Sequence, residues 1–180
     1  MRYMNKIIQS KLLYSNDIED VIDYNGRFYI VNKKQNIYVI PYTLDKGMLD
    51  KIGIINSTNL ISSNLEYSLI NGIINIDDET DLVTANRLLF DLTNVNVSNA
   101  NNWMYLGKIK TSLIDNIGSS LYCVNITNLN LSIPTKLDKA NKEIQFKLVN
   151  SNDIIATDNC LLLASYLRLF QFFYINSLNK

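Results

Sequence analysis

Between Thr80 and Leu92 the apolar residues stop alternating and recur every three or four positions, as Leu82, Ala85, Leu88, Leu89 and Leu92. That spacing gathers them on one stripe of an α-helix. Asp77, Asp78 and Glu79 stand at its start, where carboxylates suit the positive end of the helix dipole. Asn94 stands at its end, a residue that tolerates the left-handed conformation of a helix cap. A helix with one apolar stripe must lay it on another layer. The chain reads as strands on both sides of this helix, so that layer is a sheet and the class is α+β.

Upstream, Asn25-Gly26 is a tight-turn signal between apolar runs. Arg27–Asn32 (RFYIVN) and Asn36–Tyr42 (NIYVIPY) read as strands joined by the polar turn Lys33-Lys34-Gln35. Pro41 marks the second as an edge or a strand terminus, because proline donates no ladder hydrogen bond. Asp45-Lys46-Gly47 is another turn, and Met48–Ile55 another strand. Ser57–Asn64 is polar and irregular, and Glu66–Ile76 reads as a strand pair or as one strand bent through Gly72. Downstream, Trp103–Lys110, Ser120–Ile126 and Glu143–Val149 read as strands, and Thr157–Leu178 as one closing helix. Residues 1–20 are expected to form an N-terminal arm or a short helix around Lys6–Tyr14. Residues 21–180 form one domain, since 180 residues suffice for one ordinary core and not for two.

The chain has no histidine, which excludes histidine-based triads, bases and metal sites. Lys+Arg and Asp+Glu are each 17, so the net charge is zero and no general basic face for nucleic acid or membrane is expected. Cys123 and Cys160 lack CxxC spacing and sit among apolar residues, so both are expected to be buried free thiols. The opening MRYMNKIIQSKLLYS has no long apolar core and no small-residue cleavage site. It is read as no signal peptide, and the Asn-x-Ser/Thr triplets at Asn56, Asn96 and Asn125 as unglycosylated.

Glu79–Val97 (ETDLVTANRLLFDLTNVNV) holds a Glu, seven residues and an Arg, with Leu89 and Val95 at aliphatic places. It resembles the Nudix box: Gly, five residues, Glu, seven residues, Arg-Glu, an aliphatic, any residue, Glu-Glu, any residue, Gly, an aliphatic. The Gly falls at Gly72 rather than 73, so the loop is one residue longer. Tyr38–Asn56 (YVIPYTLDKGMLDKIGIIN), Trp103–Ser112 (WMYLGKIKTS) and Leu121–Leu129 (LYCVNITNL) extend the match. They are similar to Nudix-related proteins of tailed bacteriophages, crAss-like phages among them. The resemblance implies a Nudix-like α/β/α sandwich with a mixed sheet across most of residues 25–178. It also implies a place in a virion, and in the cytoplasm of the bacterial host during assembly.

The departures bear on chemistry. Leu88 stands for the Glu after the Arg, Asp91-Leu92 for the Glu-Glu pair, and Asn94 for the closing Gly. In the family those Glu side chains hold divalent cations against a diphosphate. Positions 88, 91 and 92 share one helix face. Here that face offers one short carboxylate between two leucines, and Asp91 alone cannot give Mg²⁺ its near-octahedral oxygen shell. The box positions Glu79, Arg87, Leu88, Asp91 and Leu92 are therefore read as degenerate, with no catalytic role, no metal and no cofactor. Glu79 is read as a helix N-terminal acid, Arg87 as a structural partner of Glu79 or Asp91, and Asp91 as a solvated acid. Asp77 and Asp78 are the acids that a displaced, weak metal site would need, although an exposed acidic turn is preferred. Trp103, Tyr105 and Leu106 are read as core or interface in preference to a base-stacking strand. Asp115 is assigned no role.

The closing helix carries the second signal. NCLLLASYLRLFQFFYINSL is apolar almost all round, with Arg168 and Gln171 its chief polar interruptions. Such a helix is buried on all sides or lies in a membrane. Its apolar run is shorter than the ~20 residues of a membrane span, and Arg168 breaks it. Burial is expected on two sides, against the chain's own sheet and another subunit. Leu163, Leu167, Phe170, Phe172, Phe173 and Tyr174 are the interface candidates.

With the resemblance, the expected role is a catalytically inactive structural subunit of a tailed phage virion, in the head–tail connector, neck or tail ring. Its partners are other virion proteins and copies of itself, with no nucleic-acid sequence recognition and no membrane. The runner-up is an active Nudix pyrophosphohydrolase that cleaves a nucleoside diphosphate derivative with Mg²⁺ held by Glu79, Asp91 and one or two of Asp77 and Asp78. A third reading is a nucleotide-binding regulator that has lost turnover.

Overall fold

The computed structural model describes residues 10–17, 19–24, 26–32, 34–58, 65–75, 77–110, 118–132, 136–137 and 143–178. Strands β1 (Ser10–Ser15), β2 (Glu19–Tyr24) and β3 (Arg27–Asn32) form a small antiparallel sheet in chain order. The helix expected around Lys6–Tyr14 does not form over Ser10–Tyr14, which pair with β2 instead. Leu12, Leu13 and Tyr14 lack helical spacing, and β2 offers them Ile22 and Val21 as cross-strand neighbours. Residues 1–9 lie outside the described segments.

The larger sheet holds β4 (Asn36–Asp45), β5 (Met48–Thr58), β6 (Leu65–Ser68), β7 (Ile70–Ile73), β8 (Trp103–Ile109), β9 (Ser119–Asn125), β10 (Lys136–Leu137) and β11 (Glu143–Asn150). Its order is β10-β11-β5-β4-β9-β8, with β4 and β9 parallel and the other pairs antiparallel, so the sheet is mixed. β3 and β4 do not form the hairpin that their polar turn suggested, because they belong to different sheets. The β4–β5 hairpin turns at Lys46 and Gly47, whose φ values of 49° and 82° suit the right-handed twist of the flanking strands. Beyond Tyr42 and Ile52 the two strands part. β7 then lines β4, with Gly72 opposite Ile37, and β6 lines β5, with Ser68 opposite Ile55. Glu66–Ile76 is thus one strand that bends at Leu69, three residues before Gly72.

Pro41 is buried in a central strand, not at an edge or a terminus. It lies where the partner of β4 changes from β7 to β5, and a missing N–H costs least at such a handover.

Helix α1 (Asp81–Thr93) forms as its period requires. Thr80 caps it by accepting from the Val83 N–H at 3.2 Å. Asn94 closes it in the left-handed conformation, at φ 56°. Ala85 and Leu89 pack on one face of the large sheet with Ile37, Val39, Ile70 and Val124. A short helix α2 (Ser151–Ile155), unforeseen in the sequence, precedes α3 (Cys160–Leu178). α3 covers the opposite face, where Leu162, Tyr166 and Leu169 meet Tyr38, Ile40, Ile54 and Leu121. The result is three layers with a core on each side of the sheet.

Cys123 is buried as expected, but Cys160 is exposed in the first turn of α3, on the side away from the sheet. Among the described residues no helix is long and apolar enough to cross a membrane.

Candidate functional site

The segment joining β7 to α1 is where a Nudix box would act. Its geometry is set by two packing facts. Gly72 lies so close to α1 that a Cβ there would stand 2.5 Å from Leu88 Cδ2. Leu82, Leu88 and Leu92 all pack against the α1-side core. Leu88, at the place of a family carboxylate, is therefore a wedge between α1 and the bent strand.

The acid that organises this segment is Asp78. The Asp78 N–H donates to Asn75 O at 3.1 Å, and this turn carries the side chain back under the helix. Its carboxylate accepts Arg87 Nη2–H at 2.7 Å, Arg87 Nε–H at 3.1 Å, the Thr84 hydroxyl at 2.9 Å and the Asn75 N–H at 2.9 Å. Arg87 also donates to Ile73 O at 3.1 Å, which ties the end of β7 to the same cluster. The Asp78 side chain is 6 % exposed. The Arg87 hydrogen bonds hold its carboxyl well below the usual range, at about 2, with Asn75 and Thr84 adding to them against the opposing cost of burial. The same partner pushes the Arg87 guanidinium up.

This corrects the sequence reading of Arg87. Its main partner is Asp78, not Glu79 or Asp91. Glu79 is exposed and outside the cluster, while Asp91 reaches only 3.9 Å from Arg87 Nη1 with its side chain 55 % exposed. Asp78 is likewise not part of an exposed acidic turn, whereas Asp77 is exposed.

A second cluster was not legible in the sequence. Asp81 Oδ2 accepts the Ser120 hydroxyl at 2.8 Å and Gln35 Nε2–H at 2.9 Å. Gln35 also donates to Ser120 Oγ at 2.6 Å. Three residues from distant parts of the chain thus pin the start of α1 to β9. Burial, then the negative charge of Asp81, raises the pKa of the neighbouring Tyr122 hydroxyl. Tyr105 lies beside it, with ring centroids 5.2 Å apart.

Trp103 is buried and its indole N–H donates to Val97 O at 3.0 Å, so it is a core residue, as expected. Tyr105 is half exposed, and Leu106 packs on the α3-side core. The hollow beside Trp103 and α1 measures only about 160 Å³, below the roughly 300–1,000 Å³ of ordinary ligand sites. Larger hollows of about 310 Å³ lie beside α3, away from the box.

The donors do not fit a hard divalent cation. Two of the three positions on the box face are leucines packed into the core, and both Asp78 oxygens are engaged by neighbours. Among the described residues no group of three or more Cys, Asp or Glu is placed to hold a metal ion.

Of the interface candidates, Leu167, Phe170, Phe172 and Tyr174 are exposed. Leu163 is half-buried, and Phe173 turns inward with its ring edge-on to Tyr42 at 5.2 Å. Ile175, not singled out in the sequence, joins the exposed side.

No family model matches the chain, and no curated protein matches it. Solved structures do. The fold is similar to that of an ADP compounds hydrolase, at TM-score 0.60 and 12% identity over 93% of each chain. It is similar to the NUDIX domain of NrtR from Shewanella oneidensis, solved with ADP ribose, at TM-score 0.53 and 16% identity over 76% of this chain and 88% of that one. It is also similar to an Ap4A hydrolase of C. elegans, at TM-score 0.53 and 8% identity over 77% and 96%. The chain therefore has an α+β Nudix-like fold with a mixed sheet. At such identities the likeness concerns the fold alone.

Proposed function

We propose that this chain is a catalytically inactive Nudix-fold protein that acts through protein–protein interfaces, as a structural subunit of a tailed phage particle. One observation carries the loss of chemistry: the face that would hold cation-binding carboxylates is a packing surface. Leu88 is wedged on Gly72, Leu92 lies against the core, and the best-placed acid, Asp78, is committed to Arg87. The exposed apolar side of α3 supports a role through interfaces. The place in a connector, neck or tail ring rests on the resemblance of residues 38–56, 103–112 and 121–129 to phage proteins.

Two measurements test the two halves of this reading. Purified chain is given ADP-ribose and other nucleoside diphosphate derivatives with Mg²⁺ or Mn²⁺, and no turnover above the blank is expected. Metal-dependent turnover that Asp91→Asn abolishes would establish the pyrophosphohydrolase reading instead, with Glu79, Asp91 and Asp77 as the exposed acids available to it. Mass spectrometry of purified particles is expected to find the chain. Its presence in infected-cell cytosol alone would refute the virion role. A thermal shift with ADP-ribose separates the regulator reading, since a ligand at a hundredfold its Kd adds about 2.7 kcal/mol.

A further inference from the structure

The small sheet β1–β3 has no buried side chain among its described residues. A three-stranded sheet needs a covered apolar face to be stable. Tyr14, Val21 and Ile30 are opposite one another across the strands and share a face, and Phe28 lies two residues from Ile30 on that same face. Phe28 is 71 % exposed, Ile30 60 % and Tyr14 53 %, so this face is a ridge of large apolar side chains. Elsewhere, a hollow of about 310 Å³ opens between the β4–β5 turn and α3, walled by Met48, Leu49, Tyr166, Phe170, Phe173 and Tyr174.

We propose that the β1–β3 ridge of one copy seats in the α3 hollow of a second copy. The inference rests on the assembly role proposed above and names the contact. A ridge and a hollow fit each other, whereas two ridges or two hollows do not. The contact is therefore head-to-tail, the kind that closes into a ring when its rotation permits.

Charge favours the second copy as occupant. The strands carry Glu19, Asp20 and Asp23 against Lys11 and Arg27, while the only charged residue of α3 is Arg168. A net charge of zero leaves no overall repulsion between copies. Area points the same way. The chain exposes 12119 Å², about 3,200 Å² above the ~8,900 Å² that surface scaling gives a compact monomer of its mass. A standard interface takes about 800 Å² from each surface. A head-to-tail copy contributes two surfaces, about 1,600 Å², which that surplus accommodates.

The test uses the full chain and two double variants, Phe28→Asp with Ile30→Asp and Phe170→Asp with Tyr174→Asp, all at exposed positions. Native mass spectrometry reads the assembly. Wild type is expected to be multimeric, and each variant alone monomeric. An equimolar mixture is expected to give one-to-one dimers, because the intact ridge of one variant meets the intact hollow of the other. A monomeric wild type, a variant that keeps the wild-type mass, or a mixture that stays monomeric would each overturn the proposal. A variant with altered circular dichroism is replaced by the corresponding serine pair. Particle content is measured separately, so a monomeric chain found in particles refutes this contact and leaves the virion role standing.

Discussion

Replacing Asp78 with Asn removes one charge and keeps the shape of the side chain. In the folded protein the Asp78 carboxyl has a pKa of about 2, against an ordinary 3.8. That difference corresponds to a ceiling of about 2.4 kcal/mol of stability at neutral pH, from 1.36 kcal/mol per unit. Arg87 is 30 % exposed, and solvent screening around it lowers the usable part to ~1–2 kcal/mol. The sign follows from the folded pKa being depressed. The contribution is complete above pH 4 and is lost as pH falls from about 4 to about 2. Asp78→Asn is therefore expected to lower stability at pH 7 by ~1–2 kcal/mol, or roughly 2–8 °C in melting temperature for a chain this size. The variant should lack the share of acid sensitivity that Asp78 gives the wild type between pH 4 and pH 2. Urea titrations of both proteins at pH 7, 4, 3 and 2.5 measure this directly. Equal stability at pH 7, or parallel losses from pH 4 downward, would show that Asp78 and Arg87 do not hold the box loop to α1.

Leu88→Glu, which restores the family carboxylate, should destabilise the fold by ~1–3 kcal/mol, because it replaces an apolar wedge on Gly72 with a group needing water. A denaturant melt at unchanged or increased stability would refute the packing argument. Leu89→Ala, at a fully buried position facing the sheet, should cost ~2–5 kcal/mol in the same assay. A maleimide reagent should label Cys160 within minutes in the native protein and reach Cys123 only on unfolding. Burial pushes the Cys123 thiol up to about 12 and keeps it protonated at neutral pH. Fast labelling of both would contradict the described core.

α1 was legible because its signals are local. The 3.6-residue period, the acids before it and Asn94 after it lie within about five turns of chain, and each matches what formed. Most of the large-sheet strands were legible for the same reason, from alternation and turn residues. Pro41 misled because a central strand can change partners along its length, a property of the sheet and not of the dipeptide. β1 misled because its strand state depends on cross-strand neighbours in β2. In the site, the apolar character of positions 88 and 92 was evident from residue identity. The partner of Arg87 was not, since the Asn75–Asp78 turn decides which neighbouring acid lies beneath the helix.

The sequence by itself determined the class of the protein, the place and ends of α1, and the absence of a full carboxylate set on the box face. These follow from residue type and spacing along one element. Only the tertiary structure decided that Asp78 engages Arg87, that Gln35, Asp81 and Ser120 meet, and that the apolar residues of α3 divide into a buried and an exposed side. Each joins groups from separate elements, and no local spacing records how those elements pack. The segment from Glu79 to Val97 accordingly names the frame, while the packing of Leu88 against Gly72 shows what now occupies it.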